Sequence, residues 1–299
     1  MSAASGHLGG MPVAGIERSG PRPLRSIQLP GVASLTWFHS SRRHWLRRVP
    51  FVLPTLMRVA EGDKRIVLGQ RDEALGGDRL MAVSAGTELD LENRPDPRSG
   101  CYAGVVLAFD RAYLRRHEAP APASRADPWI RPGRWLDQAW CHLIEAWDGG
   151  APESLLVHRV GEVVIALREQ AVGLPLWLDS PGQAWAERVR ALILPDPGRP
   201  WAAPAVAQRL NVSESTLRRH LTREATSFRA LLEEARLLQG LCLLQDRPQK
   251  IGVIAARCGY ESASRFSERF QRRFGLKPSE LRAGDSRPMG PVTVGSLAA

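Results

Sequence analysis

From Ser26 to about Asp110 the apolar residues fall in short, strand-length runs: Ala33 to Phe38, Phe51 to Ala60, Arg65 to Leu68, Leu80 to Ala85 and Tyr102 to Phe109. Turn-forming clusters separate them, at Glu61-Gly62-Asp63, Gly76-Gly77-Asp78 and Glu92-Asn93-Arg94-Pro95-Asp96-Pro97. Many short strands with a turn after each predict a β-sandwich or barrel. The period then changes to that of a helix. Trp135, Ala139, Trp140, Leu143, Ile144 and Trp147 predict one helix, and Leu156, Val160, Val163, Val164, Leu167 and Ala171 predict another over Glu153 to Val172. Pro-rich connectors at Ala119 to Pro132 and Leu174 to Pro181 bracket the pair. Two readings of these helices stand side by side: both cover the β domain, or one packs against its copy in a homodimer.

A further helix, Gln183 to Leu194, precedes a pattern that occurs twice. Val206-Ala207-Gln208-Arg209-Leu210-Asn211-Val212 returns 48 positions later as Ile254-Ala255-Ala256-Arg257-Cys258-Gly259-Tyr260. Each copy opens with a branched aliphatic residue and an alanine small enough for a close helix crossing. Each then reaches Asn211 or Gly259, the residue types that adopt positive φ at least cost. A second helix follows each turn. Ser213 is a suitable N-cap for the helix carrying Leu217 and Leu221, with Glu214 in its first turn where the helix dipole favours it. Phe266, Phe270 and Phe274 form the inward stripe of the other. Between the copies, Phe228, Leu231, Leu232, Ala235, Leu238 and Cys242 predict a helix over Ser227 to Leu244, roughly 25 Å long, against about 34 Å for one turn of B-DNA.

Composition adds one thing to this picture. Hydrophobic residues at 43% and charged residues at 24% are ordinary, but the net charge is +10, and residues 201–282 hold 15 Lys/Arg against 8 Asp/Glu. That bias suits a polyanionic partner, and it coincides with the repeated motif. The four cysteines, at 101, 141, 242 and 258, form no Cys-x-x-Cys pair, and Cys242 and Cys258 read as buried, reduced thiols. No run of eighteen apolar residues occurs, and the start of the chain has no apolar signal region, so a cytoplasmic protein without a membrane segment is expected.

On these residues, about Ala186 to Leu281 resembles the DNA-binding domain of the AraC/XylS family of bacterial transcriptional regulators. The resemblance rests on the first motif, on Ser227-Phe228 to Glu234-Ala235-Arg236-Leu237, and on Ile251-x-x-Ile254-Ala255-x-x-Cys258-Gly259-Tyr260. It runs on through Phe266-x-x-x-Phe270-x-x-x-Phe274-Gly275-x-x-Pro278-x-x-Leu281-Arg282. It implies an α+β chain: a disordered start over 1–25, a cupin-like effector or dimerisation barrel over 26–175, a linker at 176–182, an all-α domain with two helix-turn-helix motifs over 183–282 (about 203–224 and 251–274), and a disordered tail over 283–299. The partners implied are double-stranded DNA and RNA polymerase, with activation commoner than repression, no cofactor, and an effector that the residues do not identify.

Ser215, Arg218 and Arg219, with Thr216 as a further DNA-binding candidate, match the family's base-facing positions in the first motif, and Ala263, Ser264, Ser267 and Glu268, with Arg265 beside them, in the second. An arginine can hold guanine O6 and N7 together, worth roughly 1–3 kcal/mol of discrimination, which makes Arg218 the first candidate for base contact. Glu268 departs from the basic residue common at its position and is expected to accept from a cytosine amino group or to pair with Arg265 or Arg272. The first motif is therefore expected to carry most of the sequence preference, with Arg265, Arg269, Arg272 and Arg273 gripping backbone. A cupin-type metal enzyme is the competing class, and the β region has no His-x-His; His39 and His44, five apart, suit a surface or strand-end role. Cys141-His142 point to different helix faces and make a poor nucleophile-base pair, so no catalytic residues are expected. A regulator answering to a protein partner, with no small-molecule effector, is the third reading.

Overall fold

A computed structural model describes residues 26–117, 127–170, 184–245 and 249–282. The expected disordered segments over 1–25 and 283–299, the expected 176–182 linker, the second Pro-rich connector and most of the first lie outside the described residues.

Ten strands occur among the described residues: β1 Ser26–Leu29, β2 Ala33–Ser40, β3 His44–Phe51, β4 Thr55–Glu61, β5 Asp63–Leu68, β6 Arg71–Leu75, β7 Leu80–Val83, β8 Thr87–Arg94, β9 Tyr102–Phe109 and β10 Trp129–Ile130. They form two antiparallel sheets, one in the order β1-β2-β9-β4-β7-β10 and the other β3-β8-β5-β6. Met57, Val59, Met81, Val83 and Tyr102 of the larger sheet pack against Leu46, Ile66, Leu75, Leu89 and Leu91 of the smaller. The result is a two-layer sandwich. No pairing among the described residues closes it into the expected barrel.

Two local expectations are corrected. The run from Phe51 to Ala60 is broken at Leu53 and Pro54, between β3 and β4. Glu92, Asn93 and Arg94, expected in a turn, continue β8, because Leu89, Leu91 and Asn93 alternate inward and the Asn93 amide oxygen accepts from buried Lys64. A register shift between Leu46 and Val49 marks a bulge in β3. There Arg48 has φ 49°, and its N–H donates to Asp90 at 2.7 Å.

Helix α1 (Arg111–Arg116) follows β9, capped by the Asp110 carboxylate. Helices α2 (Arg134–Asp148) and α3 (Glu153–Glu169) cover the outer face of the larger sheet, where Trp140, Leu143, Trp147, Val160 and Val163 meet Leu35, Leu56, Val105 and Leu107. Trp135, expected on that buried face, is 67% exposed, since Leu136 takes the inward position of the first turn.

The remaining helices are α4 (Ala184–Ile193), α5 (Ala203–Arg209), α6 (Glu214–Arg223), α7 (Phe228–Gln245), α8 (Ile251–Arg257), α9 (Ala263–Phe274) and α10 (Pro278–Arg282). Helix α7 divides its apolar residues between two cores. Leu231, Leu232 and Ala235 pack with α4, α5 and α6. Leu237, Leu241 and Leu244 pack with Ile254, Phe266, Phe270 and Phe274 of α8 and α9. Cys258 is buried as expected, but Cys242 is only partly so, and no disulfide joins any of the four cysteines.

Candidate nucleic-acid interface

The two motifs turn in the same way. After α5, Asn211 takes φ 57°, its N–H donates to Gln208 at 3.0 Å, and the Val212 N–H donates to Ala207 at 3.1 Å. After α8, Gly259 takes φ 76°, its N–H donates to Ala256 at 2.9 Å, and the Tyr260 N–H donates to Ala255 at 2.9 Å. Each second helix then starts on a serine cap. The Ser213 hydroxyl oxygen accepts from the Thr216 N–H at 3.1 Å, and that of Ser262 from the Arg265 N–H at 3.3 Å.

The turns are held at a fixed separation by more than α7. A Cβ at Gly259 would stand 2.8 Å from the Gly198 carbonyl, so the α4–α5 connection abuts the α8–α9 turn. Arg236 of α7 donates to the Pro197 and Arg199 carbonyls of that connection, at 3.1 and 3.3 Å. On the other side, the Glu224 carboxylate at the end of α6 accepts from the Trp185 and Ala186 N–H groups of α4, at 2.9 and 2.8 Å. The Trp185 ring stacks on His220, with centroids 4.2 Å apart.

With Leu217 and Leu221 inward, α6 leaves Ser215, Arg218 and Arg219 exposed and Thr216 half-buried, its hydroxyl accepting from Ser213 at 2.8 Å. With Phe266, Phe270 and Phe274 inward, α9 leaves Ser264, Arg265 and Glu268 exposed and Ala263 and Ser267 half-buried. Every residue expected to face DNA lies off the apolar stripe of its helix.

The two outer faces differ in charge. Arg218 and Arg219 have no carboxylate partner among the described residues. Each arginine of α9 has one: Arg265 pairs with Glu261 at 3.0 Å, Arg269 with Glu233 at 3.4 Å, Arg272 with Glu268, and Arg273 with Glu88 at 2.7 Å. Of the two arginines expected as partners, Glu268 bonds Arg272. Arg273 turns toward the β domain, and it also lies 4.0 Å from Glu234 of α7.

The β domain touches the helical C-terminal domain through residues that sequence spacing did not reveal. His44 is buried at the start of β3, where its Nδ1 lies 2.9 Å from the Ser40 hydroxyl and its Nε2 lies 3.1 Å from the Glu280 carbonyl of α10. It is at a strand end, as expected, but not at the surface; burial lowers its pKa from 6.5. Arg111 of α1 meets Glu187 of α4 at 2.5 Å. Among the described residues, no three of His, Cys, Asp and Glu gather as a metal site, and no helix is long and apolar enough to cross a membrane.

The family described as "Helix-turn-helix domain" matches residues 206–284, and this C-terminal region is of the AraC/XylS type. The chain is 26% identical over 137 residues to the HTH-type transcriptional activator FapR of Escherichia coli, covering 46% of this chain and 53% of that one. It is 33% identical over 111 residues to the urease operon transcriptional activator of Escherichia coli, covering 37% and 38%. The chain thus spans about half or less of the length of these relatives. Among solved structures, unsaturated fatty acid bound ToxT from Vibrio cholerae aligns over 87% of this chain and 98% of its own, with a TM-score of 0.57 and 13% identity, a likeness of fold.

Proposed function

We propose that this chain, whose C-terminal region is a helix-turn-helix domain of the AraC/XylS type, is a DNA-binding transcription regulator that acts as an activator in the cytoplasm. The observation that carries the reading is the pair of equivalent helices, α6 and α9. Each follows the same positive-φ turn, each starts on a serine cap, and each presents a polar outer face from one body built around α7. Such helices suit adjacent major-groove segments on one side of a duplex. Arg218 and Arg219 read bases or grip phosphate next to them, and Ser215 and Thr216 stand at the same helix end. In the second motif Ala263, Ser264 and Ser267 are small, and Arg265 and Glu268 are already paired with Glu261 and Arg272, so α6 supplies most of the base preference. Bound this way, the chain recruits RNA polymerase.

The β domain senses an effector or mediates dimerisation. A homodimer through the outer faces of α2 and α3 has specific support, because Trp135 is 67% exposed there and Ile165 52%. The fold shared with ToxT, solved with an unsaturated fatty acid, supports a small-molecule effector. The test of the reading is selection of bound sequences from random duplex DNA at stated salt. Enrichment of a motif with two recurring blocks supports it; recovery of unenriched sequence overturns it.

A further inference from the structure

The arginines of α9 are matched by carboxylates, yet uncompensated cations stand beside that helix, on the other domain. Residues 39–51 contain four arginines and no acidic residue. Arg48 is paired with Glu88 at 3.0 Å. Arg42 and Arg43 at the β2–β3 hairpin and Arg47 on β3 are exposed and have no carboxylate partner among the described residues. This segment is fastened at three places to the second motif and the helix that follows it. His44 Nε2 lies 3.1 Å from the Glu280 carbonyl of α10. The Arg47 side chain runs over Gly275, just past α9, with Cδ 3.3 Å from where a Cβ would stand. Glu88, which holds Arg48, also holds Arg273 at 2.7 Å.

We infer that Arg42, Arg43 and Arg47 form an accessory phosphate-binding edge, by which the β domain holds the sugar-phosphate backbone bordering the groove that α9 enters. The inference rests on the DNA-binding reading. Helix α9 has 12 residues and is about 18 Å long. The major groove is only about 12 Å wide. With the N-terminal end of α9 at the bases, its far end reaches the level of the bordering strand, and that end lies against Arg47 of β3, the strand that follows the hairpin of Arg42 and Arg43. Exposed guanidinium groups without carboxylates bind phosphate and release counterions with no partner to give up, whereas Arg272 must leave Glu268 to do so. The negative end of the α9 dipole accounts for Arg47 but not for Arg42 and Arg43.

The test measures binding of the full chain to a selected duplex and to a scrambled one of equal length, over a range of salt. For R42Q/R43Q the slope of log K against log salt falls by about 0.9 for each phosphate no longer neutralised, on both duplexes alike. R42K/R43K keeps the slope of the unaltered chain. A slope unchanged in R42Q/R43Q, with the unaltered chain binding normally, overturns the edge alone. A loss confined to the selected duplex also overturns it, because these arginines then read bases. Binding of neither duplex by the unaltered chain sinks the regulator reading and the edge together.

Discussion

Glu88 on β8 accepts a hydrogen bond from Arg273 near the end of α9 at 2.7 Å and another from Arg48 on β3 at 3.0 Å, so one carboxylate joins the sandwich to the second motif. Burial by itself raises the Glu88 pKa, but the bonds from Arg273 and Arg48 outweigh it and hold the group below its usual 4.5. A depressed carboxylate contributes its stability in full above about pH 4.5 and loses it as pH falls through the lowered value. Both pairs are partly exposed, so together they are worth about 1 kcal/mol. Glu88→Gln is expected to lower the melting temperature at pH 7 by about 2 °C, with the difference from the unaltered chain shrinking in strong acid. Thermal melts at several pH values check this; equal melting at pH 7 would count against the joint.

Gly259→Ala is expected to destabilise the chain by about 2 kcal/mol or more. The left-handed conformation costs an alanine roughly 1–2 kcal/mol, and its Cβ would stand 2.8 Å from the Gly198 carbonyl. Asn211→Gly, at φ 57°, is expected to be nearly neutral, because glycine takes the same turn without strain. Urea unfolding of the two variants measures the contrast.

Arg218→Ala is expected to cost roughly 1–3 kcal/mol on selected DNA and much less on scrambled DNA, as when a base is no longer recognised. Arg265, already bonded to Glu261 at 3.0 Å, is expected to lose little and equally on both duplexes when changed to alanine. Greater relaxation of base preference by Arg265→Ala would reverse the roles given to the two motifs.

Lys64 sits inside the sandwich, bonded to Asn93, and burial lowers its pKa from 10.5 to about 7. Between those values the unfolded chain holds a proton that the folded chain has released, so stability rises with pH across that window. Lys64→Met is expected to flatten that rise. Melting temperatures from pH 7 to pH 9 decide it; an equal rise in both proteins would contradict the assignment.

The two matching turns and the helices that follow them were legible because their contacts are short-range. A four-spaced stripe such as Phe266, Phe270 and Phe274, and a turn residue such as Gly259, specify the local geometry directly. The β domain was less legible because its pairings are distant. Strand β3 was hidden by its bulge: the extra residue puts Leu46 and Val49, three apart, on the same inward face, and the period of two fails. Asn93 disguised the end of β8 as a turn, since its inward position makes sense only once Lys64 lies opposite. The joint between Glu88 and Arg273 spans 185 positions and leaves no trace in spacing.

DNA recognition in this reading requires α6 and α9 to act together, held by the 18-residue α7. Hydroxyl-radical footprinting of the full chain on a selected duplex tests this directly. The expected result is two protected stretches on one face of the duplex, about 10 base pairs apart, with Arg218→Ala weakening the one under α6. A single protected stretch, or two on opposite faces, would contradict it.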